Sequence, residues 1–193
     1  DRHSQADEQA DHHPVTRYRH WWWFAAVMLV VGCGPLRPVD EGRLHPEAQI
    51  LAGVPFVAQQ DRYDCGAAAL AVLLGHAGRD VPREEIQTAT YMSVLRGTLL
   101  PDLENYARRL GLATVSGRGG TDLLRQRLEA GYPILIPLEL GWGGVSQPHY
   151  VVVVGQDRGG FFLRPGNRPL AYIAEAELEN RWSKMNHLYL YLP

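Results

Sequence analysis

The run Ala67-Ala68-Ala69-Leu70-Ala71-Val72-Leu73-Leu74 would be apolar nearly all round as a helix, so that helix must be enclosed by other elements. Asp64 is a good N-cap and Gly78 suits the turn that stops a helix, so the spacing predicts a buried central helix from Cys65 to about Ala77. It opens on Cys65, where the unpaired N–H groups and partial positive charge of a helix N-terminus favour a thiolate over a thiol. Gln59 lies six residues earlier, close enough for its side-chain amide to point at whatever the sulfur attacks. This is the outline of a cysteine nucleophile with its oxyanion donor.

The rest of the chain supplies what encloses that helix. Val54-Pro55-Phe56-Val57 reads as an extended lead-in, since proline forces its predecessor out of the helical region. Pro82 can start a second helix, with Glu84, Glu85 and Ile86 in its first turn. A third is predicted over Pro101 to Leu110 and a fourth over Thr121 to Ala130, ended by Gly131. Beyond this the character changes. Ile134 to Leu140, His149 to Gly155, Phe161 to Leu163 and Leu188 to Leu192 are short β-branched or aromatic runs separated by glycine turns. Asp157-Arg158-Gly159-Gly160 reads as a hairpin connection, and Val151 to Val154 as a central strand buried on both faces. Helices first and an antiparallel sheet second is the α+β pattern, with one core between the layers. His149 opens the apolar strand, after the glycine-rich Gly141-Trp142-Gly143-Gly144, where a cleft at the sheet edge would receive it.

At 193 residues, 46% hydrophobic, the chain can bury one ordinary core. A net charge of −2 gives no electrostatic case for nucleic acid, and the remaining histidines are too scattered to hold a metal. No cofactor is expected. The two cysteines, Cys33 and Cys65, each have a more specific use than a mutual disulfide. Arg17, Arg19 and His20 precede an eleven-residue apolar run, Trp21 to Val31, too short to span a bilayer but suited to an export signal. It ends in Leu29-Val30-Val31-Gly32-Cys33, which resembles a bacterial lipobox, and this resemblance implies cleavage before Cys33 and lipidation of its thiol. Gly34 to Gly53 reads as a proline- and glycine-rich tether. With glycine rather than aspartate at 34, the resemblance favours the outer membrane. The expected organisation is therefore signal peptide 1–32, lipidated N-terminus and linker 33–53, and a globular domain 54–193 facing the periplasm.

The glutamine six residues ahead of the cysteine in Asp64-Cys65-Gly66, the alanine-rich helix behind it, and His149-Tyr150-Val151-Val152 leading to Gly155 together resemble the double-glycine, bacteriocin-leader-processing cysteine peptidases of the papain-like clan. Gly97-Thr98 through Leu110-Gly111-Leu112 resembles the middle of that domain. The lipobox, Leu163-Arg164-Pro165-Gly166 and the Trp182 region are similar to standalone lipoprotein members of Gram-negative bacteria. The resemblance implies a papain-like fold and a peptide or protein substrate cut by Cys65 with His149 as base and Gln59 on the oxyanion. It also implies a preference for Gly-Gly and a secretion-system partner.

One position departs. The family's third residue, an aspartate usually followed by proline, falls on Arg164-Pro165, and arginine cannot accept the imidazole N–H. Asn167 could, as asparagine does in papain-type enzymes; a backbone or water substitute is a second solution, and no third group a third. Asp157 lies eight residues from His149, more than ~20 Å along a strand. The alternative to an enzyme is an inactive peptidase-like domain that binds peptides or docks a secretion partner. A cell-wall amidase of the other lipoprotein papain-like group fits less well, since those read Asp-Cys-Ser-Gly.

Overall fold

The computed structural model describes residues 36–44, 46–141 and 146–193. The expected export signal 1–32, the expected lipidation site Cys33 with Gly34, and Trp142 to Gly144 of the glycine-rich loop lie outside the described residues. The helix expected from the apolar run is α1, Cys65–His76, with Gly66 to Leu74 all buried. It ends as anticipated, Gly78 taking a positive φ of 75°. Two further helices, α2 (Arg83–Thr90) and α3 (Leu100–Arg109), pack beside it.

The sheet is antiparallel in all its pairings, with strands β1 (Arg37–Pro38), β2 (Gln49–Ile50), β3 (Val115–Arg118), β4 (Ile134–Glu139), β5 (Pro148–Gln156), β6 (Gly160–Arg164), β7 (Ala171–Ala174) and β8 (Leu188–Tyr191). Its order is β1-β7-β6-β5-β4-β8-β3, with β2 paired to the far end of β5. The anticipated hairpin turn is present, the Asp157 carboxylate accepting from the Gly159 and Gly160 N–H groups at 2.8 Å each. β5 is central. Val152 faces both Leu135 of β4 and Arg164 of β6, and His149 faces Leu138.

The expectation of a single core is corrected: the sheet is covered on both sides. Val152 and Val154 join the core built on α1, whereas Val151 and Val153 join a second core with Leu124, Leu178 and Trp182. Those residues come from α4 (Thr121–Glu129) and α5 (Glu175–Ser183). Four consecutive apolar residues in one strand require cover on two faces, and each buried valine contributes about 1.5–3 kcal/mol.

The stretch expected as a structureless tether also differs. Residues from Leu36 onward belong to the same unit as the rest, Pro35–Pro193. β1 pairs with β7, a 3-10 turn forms over Glu41–Arg43, β2 pairs with Gly155 and Gln156, and Leu51 N–H donates to Val154 at 2.9 Å. Strands of two residues have no sequence periodicity, so nothing in the pattern announces them.

Candidate active site

The local sequence around Cys65 leaves the first helical turn open to a ligand. Asp64 sits at the N-cap, and its carbonyl accepts the first helical bond from Ala68 at 2.9 Å, but its side chain makes no cap. The carboxylate turns away, accepting from Gln60 N–H at 2.9 Å and pairing with the Arg83 guanidinium of α2. Both members of this pair are buried. The Gly66 and Cys65 N–H groups thus remain directed at the Cys65 sulfur, joined by the Tyr150 N–H of β5. Cys65 is partly exposed and carries a free thiol.

At Gly66 the helix start is approached closely by β5 and by the segment before α3. A Cβ at this position would stand 3.2 Å from the Tyr150 ring and 3.3 Å from Thr98. With the Tyr150 main chain on the sulfur, its neighbour His149 arrives at the N-terminus of α1, so the helix start and the strand start meet.

The helix terminus is not the strongest influence on Cys65. Burial pushes the thiol up from its ordinary value, with the Asp64 charge adding to it, and the three N–H groups oppose this without reversing it. Burial likewise pushes His149 down, against the opposing influence of its Pro165 bond and of Asp64. Both shifts favour the neutral forms, the thiol and the imidazole.

The imidazole has a defined tautomer. His149 Nε2 lies 2.8 Å from the Pro165 carbonyl oxygen. A carbonyl only accepts, so Nε2 carries the proton and Nδ1 keeps the free lone pair. Asn167, expected as one candidate for this orienting role, is exposed, and its Oδ1 accepts from Arg168 at 3.3 Å. The acceptor on the imidazole is main chain. Arg164, at the aspartate position, has its guanidinium engaged elsewhere, with Glu41 and the carbonyls of Pro169 and Val54.

Gln59 stands across the same turn. Its N–H donates to the Gly166 carbonyl at 3.0 Å and its side-chain amide donates to Asp61 at 3.2 Å, leaving one amide hydrogen available. Gly166 has φ +82°, and a Cβ there would stand 2.9 Å from Gln59 Oε1. Pro165 and Gly166 therefore contact the base and the amide at once. Sequence reasoning did not single out Pro165 or the Asp64–Arg83 pair: a main-chain acceptor has no side-chain signature, and Arg83 reads as an ordinary first-turn residue of α2.

A family model described as the Peptidase C39 family matches residues 53–189. Among curated proteins, the colicin V secretion/processing ATP-binding protein CvaB of Escherichia coli is 29% identical over 125 residues, 65% of this chain and 16% of that protein. The probable microcin-H47 secretion/processing ATP-binding protein MchF of Escherichia coli is 26% identical over the same shares. The chain thus spans about a sixth of the length of these relatives. Among solved structures, a putative C39-like peptidase from Bacillus anthracis has a TM-score of 0.63 at 19% identity, covering 76% of this chain and 98% of that one. A double glycine motif protease from an AMS/PCAT transporter, in complex with the leader peptide, has a TM-score of 0.60 at 22% identity, covering 75% and 95%. At these identities the structural likeness establishes the α+β, papain-like fold.

Proposed function

The chain belongs to the peptidase C39 family, and from that premise we propose that it is a cysteine peptidase using Cys65, His149 and Gln59. The observation that carries this reading is the imidazole held by the Pro165 carbonyl, which leaves Nδ1 free to take a proton where β5 meets the start of α1. His149 Nδ1 removes the Cys65 proton as the sulfur attacks the peptide carbonyl. The oxyanion is held by the Gln59 amide and the Cys65 N–H, donors of a kind each worth on the order of a hundredfold in rate. The imidazolium then protonates the leaving amine, which departs and leaves a thioester. Water, deprotonated by His149, hydrolyses the thioester and frees the thiol.

The proposed substrate is an extended peptide cut after Gly-Gly, by analogy with the double glycine motif protease and its leader peptide. The segment 91–99 supports a peptide ligand. Thr98 sits against Gly66, and Tyr91, Met92, Val94, Leu95 and Leu99 of the same segment are exposed, an apolar surface beside the thiol for a substrate's side chains. A transporter or other secretion partner would present that peptide. Lipidation at Cys33 and a periplasm-facing outer-membrane location complete the proposal.

The second reading, a peptide-binding domain without turnover, is favoured by Arg164 standing where the family has an aspartate. Incubation with a Gly-Gly leader peptide and mass analysis of the products separates the two. Cleavage after Gly-Gly by wild type and not by Cys65→Ser is expected. Intact peptide that binds equally to both would establish the second reading.

A further inference from the structure

We propose that Arg164, held by Glu41, is a positioning residue: its guanidinium fixes the Pro165–Gly166 turn that supplies the base with its acceptor and seats Gln59. This rests on the peptidase reading and extends it to a residue that a carboxylate-based mechanism would count as a defect. The guanidinium is largely buried and gathers three separate segments. One of its terminal nitrogens donates to Glu41, in the turn that follows β1, and to Pro169, each at 2.5 Å; the other donates to Val54 at 3.2 Å. Pro169 closes the loop that begins at Pro165, and Val54 begins the lead-in that runs on to Gln59. The cation thereby pins both ends of the arrangement whose middle is Pro165 O on His149 and Gly166 O on Gln59 N–H.

The chemistry explains why arginine is tolerated. An orienting group needs only to accept the Nε2 proton, and a main-chain carbonyl does that as well as a carboxylate if the main chain is held still. A loop carbonyl is not held by its own geometry. The planar fork of arginine, with five N–H donors and a permanent charge, binds two carbonyls and a carboxylate at once, which lysine's point charge would do less well. The side chain at the aspartate position therefore acts on the imidazole through the backbone rather than by touching it.

The test uses the full chain, with two readouts: the rate of Cys65 alkylation by iodoacetamide across pH, and the 15N signals of the imidazole, assigned by difference from His149→Ala. Wild type is expected to react faster at pH 7 than His149→Ala and to give a pure Nε2–H tautomer. In Arg164→Met the rate should fall on the order of a hundredfold, as displaced catalytic groups do, and both tautomers should appear. Glu41→Gln removes the charged partner of Arg164 at a half-exposed position; it should move both readouts the same way, by about tenfold in rate for one lost charge-assisted bond. Variants that stay within twofold of wild type with an unchanged tautomer would overturn the role of Arg164 while leaving the peptidase reading intact. Wild type reacting no faster than His149→Ala would overturn that reading and this one with it.

Discussion

A hydrogen bond from His149 Nε2 to a main-chain carbonyl has different consequences from one to a carboxylate. Pro165 fixes which nitrogen carries the proton but brings no negative charge to stabilise the imidazolium, and burial already pushes His149 below its ordinary value of 6.5. The base must be neutral to accept a proton. The acid limb of the kcat/KM profile for a Gly-Gly peptide is therefore expected to have its midpoint below pH 6.5, and a midpoint above it would mean an unrecognised anion beside the ring. Gly166 is the second residue on which this geometry depends. Gly166→Ala forces a side chain into the left-handed region, costing about 1–2 kcal/mol, and drives its Cβ against Gln59. Its cleavage rate should drop as far as that of Gln59→Ala, with a melting temperature only modestly lower.

At the level of elements, α1 and β5 frame the candidate site, and because each is apolar on all sides both were legible in the sequence. Cys65 at the start of one and His149 near the start of the other could be named from pattern alone. The elements that escaped are short or half-polar. β3 reads Val-Ser-Gly-Arg, β7 has four residues, and α5 shows the core only Leu178 and Trp182. Residue type alone makes Asp64 a helix cap; the competing partner, Arg83, lies nineteen residues on and is not visible to local reasoning. That pair welds the start of α1 to α2 and bonds the Gln59–Gln60 segment through the Gln60 N–H. Removing one partner strands a buried charge, so Arg83→Met is expected to destabilise the fold by about 3–5 kcal/mol in urea unfolding. A loss under 1 kcal/mol would show that the carboxylate is solvated. For the third group the sequence allows Asn167, a backbone or water substitute, or none; the acceptor seen on His149 Nε2 is the Pro165 carbonyl, a main-chain atom that carries no sequence signal.

For the whole molecule, the two cores and the packed residues from Leu36 onward change what a charge titration should do. Tyr106, buried and bonded to Glu85 at 2.7 Å, is pushed up to about 12, and burial also raises Tyr150 and Tyr172 from 10.0. Above pH 10 the unfolded chain releases these protons and the native one keeps them, so stability falls as pH rises through 10 towards 12. Thermal melts at pH 8, 10 and 11 should step downward accordingly, and a flat series would contradict the burial of these hydroxyls. Catalysis by this site turns on the Cys65 thiol. The most direct measurement is the pH dependence of Cys65 alkylation by iodoacetamide in wild type and His149→Ala. At pH 7 wild type should react on the order of a hundredfold faster, the scale of general-base assistance, with the advantage vanishing as His149 protonates below pH 6.5. Equal rates at every pH would mean that imidazole and thiol do not work together, and the site would not be a peptidase.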